Sequence, residues 1–192
     1  KREIFEPASV QERFIHKKPS GIDATTATYG GVILFKIGEP PTRLQASHRI
    51  SMVIGNTGVK RSTGDLVTKV TRRVEVGDQE LARISNSAGQ LTLRAAKAYE
   101  KGDFRQLGLL MNENHELLRE IDVSTPHLDR LVEAAQNAGA LGAKLTGAGG
   151  GGCMIALSEP ENTERVAKAI TEADGRPYIV SIDQSGVNIE SF

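Results

Sequence analysis

A single cysteine, Cys153, excludes any internal disulfide, so the chain must hold its shape by packing rather than by covalent staples. Charge of one sign is also lacking. Twenty-four basic and twenty-four acidic side chains cancel to a formal net charge of zero, and nothing in the overall balance recommends a nucleic acid or an anionic membrane as partner. No apolar run approaches the roughly 18 residues of a membrane span. A soluble protein of a reducing compartment is expected, with the cytoplasm as the default address. Internal repeats and low-complexity linkers are missing too. The opening residues "KREIFEPASV" hold no apolar signal core and no initiator methionine, which raises the expectation of a missing upstream segment.

What is present suits a globular fold. With 39% hydrophobic residues over 192 positions, there is enough apolar material for a core, and the length predicts one domain or a domain plus part of another. "GVILFKI" (31–37) and "SMVIGN" (51–56) are short apolar runs bounded by Gly and Pro, and they predict buried strands, with the polar "GEPPTRLQASHR" as a connection. Leu66, Val67, Val70 and Val74 keep helical spacing from Thr63. A helix is predicted over about 79–99. Asp103 caps the next, whose stripe is Phe104, Leu107, Leu110, Met111, Leu117 and Ile121. Thr125 before Pro126 starts another that Gly139 stops, with Leu128, Leu131, Val132 and Ala135 at i, i+3, i+4 and i+7. "GCMIALS", "PENTERVAKAITEADG" and "RPYIVSID" then read as strand, helix and strand. The closing order after a helix-rich middle predicts an α+β layered fold.

The densest signal is "KLTGAGGGGCMIAL" (144–157), with Gly147, Ala148, Gly149, Gly150, Gly151 and Gly152 in succession. Ordering so many glycines is entropically expensive, and their usual use is to let backbone N–H groups approach a phosphate. The plain alternative is a flexible turn between a helix and a strand. The short run, flanked directly by ordered apolar sequence, favours the phosphate loop. Gly147, Gly149 and Gly152 also satisfy G-x-G-x-x-G, but that dinucleotide fingerprint needs a helix directly after the glycines, and here a strand follows.

A second specified stretch, "HKKPSGIDA" (16–24), delivers one carboxylate, Asp23, just after a Pro-Ser-Gly turn. Taken by itself, Asp23 is equally well a turn or cap residue. Together, "KPSGID", "GNTGVKRST", "MNENHELL" and "KLTGAGGGGC" stand in the order and roughly the spacing found in the GHMP family of small-molecule kinases, and the "PSGID" segment resembles its mevalonate-phosphorylating branch. The resemblance runs from about Glu12 to Leu157.

That resemblance implies an ATP- and magnesium-dependent kinase acting on the primary hydroxyl of mevalonate, with phosphomevalonate, homoserine or a sugar as alternative substrates and a non-catalytic binding module as the alternative class. Asp23 would face the substrate hydroxyl, with Gly21 and Ile22 beside the substrate. Phosphoryl transfer has a loose transition state in which positioning and charge neutralisation outweigh a strong base, so an aspartate suffices. Glu12 would ligate Mg²⁺, which takes hard oxygen ligands and commonly only one or two carboxylates; a solvated helix face is the alternative. Arg61 and Thr63 would contact the substrate, the arginine fork suiting a carboxylate; a surface arginine and a helix cap are as well supported. His16, Asn112, Asn114 and His115 read as packing and polar support.

Two positions depart from similar sequences. Lys17 stands where a glycine is usual, and Ala24 where an amide often follows the aspartate. The lysine-bearing "PGK" segment and the "GLGSSAA" phosphate loop of such kinases are not among these residues. The expectation is therefore the end of a nucleotide-binding domain over 1–48, a ferredoxin-like helix-and-sheet domain over 49–192, and no kinase activity from this portion alone. Homodimer formation is left open.

Overall fold

The computed structural model describes residues 21–45, 50–59 and 63–188. Two compact units emerge, Lys1–Ala46 with Ile182–Phe192, and Ser47–Ser181. Residues 182–188 thus group with the first unit, whereas the sequence reading places them with 49–192. The reason is specific backbone pairing, such as the Gly31 N–H donating to the Asp183 carbonyl at 2.7 Å.

In the first unit, helix α1 (Ile22–Tyr29) leads into β1 (Val32–Leu34), which pairs antiparallel with β2 (Thr42–Leu44). Neither α1 nor β2 follows from local sequence preference. "IDATTATY" carries three threonines, whose alternation with small residues reads as extended chain, and β2 lies in what the sequence presents as a polar connection.

The second unit is a four-stranded antiparallel sheet covered by helices. Its elements are β3 (Ser51–Asn56), α2 (Thr63–Glu75), α3 (Gln79–Lys101), α4 (Phe104–Glu120), α5 (Pro126–Asn137), β4 (Gly142–Thr146), β5 (Cys153–Ser158), α6 (Thr163–Glu172) and β6 (Arg176–Val180). The strand order is β4-β5-β3-β6. Side-chain caps fix where the helices begin: Asp78 accepts from the Leu81 N–H at 3.0 Å, Asp103 from Gln106 at 3.0 Å, and Thr125 from Leu128 at 3.2 Å with Pro126 at the first helical position. The stripe Leu128, Leu131, Val132 and Ala135 of α5 and Val166 and Ile170 of α6 bury against Val53, Leu145, Met154 and Ala156 of the sheet. Leu91, Ala98 and Leu110 form a smaller cluster between α3 and α4. On α2, Val70 packs against the main core while Val67 and Val74 face solvent.

Helix α4 meets the β4 edge through backbone. A Cβ on Gly108 would stand 2.2 Å from the Leu141 carbonyl oxygen, and one on Gly142 2.0 Å from the Gly108 oxygen, so only glycines permit the approach. Asn112 and His115 lie four and seven residues beyond Gly108, on the same helical face. Asn112 Oδ1 accepts from the Ala143 N–H at 2.8 Å and from Gln136 Nε2 at 2.8 Å; His115 Nδ1 accepts from the Leu145 N–H at 3.3 Å. The Lys144 ammonium bends round to the Leu145 carbonyl at 2.8 Å.

Candidate functional site

The glycine run is a six-residue connection between β4 and β5, closed by the Thr146–Cys153 pair. A strand therefore precedes the glycines as well as following them, which corrects the expectation of a helix-to-strand turn. Gly142 and Ala143 conceal that strand, being small and weakly β-forming. The absence of a following helix still separates the loop from a dinucleotide fingerprint.

Its conformation depends on glycine. Gly149 has φ +81° and Gly150 φ +71°, in the left-handed region that a side chain disfavours. The space around them is filled. A Cβ on Gly149 would lie 2.0 Å from the Val123 carbonyl oxygen, one on Gly150 2.4 Å from Leu66 Cδ1, and one on Gly151 3.1 Å from the Val59 oxygen. Two loop amides are engaged by protein, Gly150 donating to Val123 at 2.9 Å and Gly152 to Val59 at 3.3 Å. The Gly152 carbonyl in turn accepts from the Thr57 N–H at 2.8 Å and the Thr57 hydroxyl at 3.0 Å. The loop is thus seated on the turn after β3 and the turn before α5.

Residues 147 and 148 form a hydrogen-bonded turn at the end of β4. Gly151 is buried, and among the described residues its N–H meets no protein acceptor. A buried N–H left unpaired costs about 1–3 kcal/mol, and such groups are rare unless something accepts from them. Backbone N–H groups on a glycine loop of this kind can approach an anion's oxygens closely.

Sequence reasoning missed the residues that seat this loop, namely Thr57, Val59, Leu66 and Val123. A local signal existed at one of them. "NTG" is a turn tripeptide, and Asn56 Oδ1 accepts from the Gly58 N–H at 2.8 Å. Leu66 and Val123 contribute by position in the fold, which nothing in their own neighbourhood announces.

Near the loop's base, His115 is almost wholly buried, and burial pushes its pKa below the usual 6.5, outweighing the neighbouring Asp129 and Glu116 carboxylates. Its ring is neutral. Nδ1 accepts from Leu145, so Nε2 carries the proton and faces Asp129 Oδ1 at 3.2 Å. Burial likewise lowers the pKa of Lys144. Asn112 and His115 hold the strand that leads into the loop.

In the first unit, Asp23 sits in the first turn of α1 with an exposed side chain. Gly21, at φ +81°, is the N-cap and turns the chain into the helix, and its carbonyl accepts from the Thr25 N–H at 3.0 Å. Ile22 follows, 42% exposed. An acidic residue at this end suits the positive pole of the helix dipole. Asp23 and the glycine loop belong to different units. Glu12, His16, Lys17 and Arg61 lie outside the described residues, and Thr63 opens α2 with its side chain likewise outside them.

Among the described residues, no group of three or more His, Cys, Asp or Glu side chains could hold a metal ion by itself. The donor type present nevertheless fits magnesium, since an exposed carboxylate offers a hard oxygen and Mg²⁺ draws most of its ligands from phosphate and water. No helix among the described residues is long and apolar enough to cross a membrane.

Comparison with known proteins converges on one family. Residues 95–175 match the family described as GHMP kinases C terminal. A mevalonate kinase of Aeropyrum pernix is 35% identical over 191 residues, covering 99% of this chain and 59% of the relative. One of Pyrococcus abyssi is 42% identical over 199 residues, covering 99% of this chain and 57% of the relative. The crystal structure of L. major mevalonate kinase in complex with R-mevalonate superposes with a TM-score of 0.78 at 34% identity, over 87% of this chain and 53% of that one. The chain spans less than two thirds of the length of each of these relatives.

Proposed function

The chain carries a GHMP kinase C-terminal domain, and from that premise we propose that it contributes to an ATP- and magnesium-dependent kinase that phosphorylates the primary hydroxyl of mevalonate to 5-phosphomevalonate, a step toward isoprenoids. The observation that carries the reading is the left-handed glycine loop 147–152 between β4 and β5, with Gly151 buried and its N–H given no protein acceptor among the described residues, a geometry suited to phosphate oxygens. The relatives' shared name supports mevalonate as the acceptor.

In this reading the loop amides hold phosphate oxygens through fixed donors that need no rearrangement as charge develops. The substrate hydroxyl oxygen bonds to the terminal phosphorus while the bond from that phosphorus to the bridging oxygen breaks. The Asp23 carboxylate orients the hydroxyl and takes its proton late, after most of the bond change. Gly21 and Ile22 are assigned to the substrate's side of α1, and Arg61 and Thr63 to substrate contact, the arginine fork suiting a carboxylate. Glu12 would be the carboxylate that holds magnesium, which would supply charge neutralisation when bound. A lone cysteine suits a reducing compartment such as the cytoplasm.

The test is a coupled assay of the full-length protein with magnesium ATP against mevalonate, phosphomevalonate, homoserine and galactose. Preference for mevalonate by at least a hundredfold in kcat/KM is expected. Turnover of another acceptor with higher kcat/KM would reassign the substrate, and binding without turnover of any would favour a non-catalytic module.

A further inference from the structure

Helix α1 has little of its own to fix it in place. It is eight residues long, and threonine, isoleucine and tyrosine make up five of them, all residues of middling helix propensity. So short a helix is marginal without tertiary contacts. Its N-cap Gly21 offers no side-chain hydrogen bond, and its buried residues are Thr25 and Thr28, with no large apolar side chain among them. Thr25 even turns its hydroxyl back to the Gly21 carbonyl at 2.7 Å. Yet this helix carries Asp23.

What grips it is a segment about 155 residues further along the chain. The Val187 N–H donates to the carbonyls of Ala27 at 3.1 Å and Thr28 at 3.3 Å, in the last turn of α1. Gly186 lies flat against that turn. A Cβ there would stand 2.6 Å from both the Gly30 nitrogen and the Thr28 oxygen, and one on Gly30 2.3 Å from the Gly186 nitrogen, so the two backbones touch with no room for any side chain. The segment arrives already shaped, since Asp183 Oδ1 accepts from the Ser185 N–H at 2.8 Å and its hydroxyl at 2.6 Å. Arg43, from β2, completes the grip. Its Nη2 donates to the Gln184 carbonyl at 2.6 Å and to Gln184 Oε1 at 3.1 Å, while its guanidinium lies across Gly31.

We propose that segment 183–187 is a positioning element of the catalytic site, clasping the last turn of α1 through Gly186 and Val187, with Arg43 as its latch, and so setting where Asp23 stands. Asp23 and Ala27 are one turn apart on the same helical face, so any tilt or slide of the clasped turn is transmitted to the carboxylate. The inference rests on the reading of Asp23 given above. Misplacing a reacting group by about 1 Å can cost on the order of a hundredfold in rate, which makes the clasp's stiffness matter.

Two variants of the full-length protein test it. Gly186→Val forces the backbones apart, and Arg43→Ala removes the latch without adding bulk. In both, amide exchange over 22–30 should quicken at least tenfold while exchange over 126–137 stays as in the parent. Turnover per folded molecule should fall at least fivefold, with KM for ATP and mevalonate within twofold, and Arg43→Lys should recover at least half of the turnover lost in Arg43→Ala. Parental exchange over 22–30 in both variants would overturn the clasp. Faster exchange with parental kcat would overturn its positioning role. Asp23→Asn, measured alongside, separates the two ideas: parental turnover there overturns the reading of Asp23 and the positioning role with it, whereas its loss beside parental kcat in Gly186→Val and Arg43→Ala overturns the positioning role alone.

Discussion

Replacing glycines one at a time separates what the hairpin loop owes to backbone conformation from what it owes to its seat. Gly77, at φ +70° with nothing within 4 Å of a built Cβ, measures conformation alone. A left-handed alanine is disfavoured by about 1–2 kcal/mol, partly offset by about 0.4–1 kcal/mol from a stiffer unfolded chain, so Gly77→Ala should destabilise by about 1 kcal/mol. Gly149 has a similar φ, +81°, but its Cβ would meet the Val123 carbonyl oxygen at 2.0 Å, and that oxygen holds the Gly150 N–H. Backbone cannot swing aside as a side chain can. Overpacking of about 1–3 kcal/mol and loss of a hydrogen bond of about 1 kcal/mol should place Gly149→Ala about 2–4 kcal/mol below Gly77→Ala. Gly150→Ala should fall between, because the atom it meets is the tip of Leu66. Urea melts followed by far-UV circular dichroism give the order directly. If Gly149→Ala lies within about 0.5 kcal/mol of Gly77→Ala, close to the error of extrapolation, the loop is not seated on Val123 and the inference of a rigid phosphate loop fails.

Asp23→Asn preserves size and removes charge, so kcat should fall about a hundredfold or more with little change in ATP affinity; near-normal turnover would sink the assignment. His115 is held neutral by burial, with its pKa below the usual 6.5, so the unfolded chain binds the extra proton more readily and stability rises with pH. That contribution is complete above about pH 6.5 and is lost as pH falls toward the native pKa; melting temperatures between pH 7.5 and 5 should therefore drop more in the parent than in His115→Gln, and parallel curves would refute it. Residues 1–192 by themselves should bind magnesium ATP weakly and show no turnover of mevalonate, since phosphate-binding donors beyond the hairpin loop are needed; tight binding by titration calorimetry would mean the phosphate site has been misplaced.

Local chemistry announced the capped helices well. Asp103, the Thr125–Pro126 pair and the i, i+3, i+4, i+7 stripe of α5 state their structure in their own spacing, and the same holds for the runs 51–56 and 153–158. The hidden elements are those defined by distant partners. Strand β4, "GAKLT", is weakly β-forming and exists because β5 pairs with it on one side and Gly108, Asn112 and His115 meet it on the other. Helix α1 has a similar dependence on Gly186 and Val187. At the site, the glycine run declared itself, but its seat follows from Val59 and Val123, whose carbonyls take the Gly152 and Gly150 N–H groups. The supporting role of Asn112 and His115 was legible from their place on an amphipathic helix, whereas the strand edge they support was not.

The polar side chains along β4 have a consequence for how the protein behaves at high concentration. An outer strand normally displays a ladder of unused amides and carbonyls to which another molecule's strand can add, and repetition of that step builds aggregates. Here the outward N–H groups of Ala143 and Leu145 and the Leu145 carbonyl are already taken by Asn112, His115 and Lys144. At the opposite margin of the sheet, Pro177 removes a donor from β6. Residues of the motif "MNENHELL" thus occupy edge groups that another molecule's strand would need. Exchanging Asn112 and His115 together for leucine would leave the Ala143 and Leu145 N–H groups without partners beneath α4, so that stability would fall with the loss of the edge's protection.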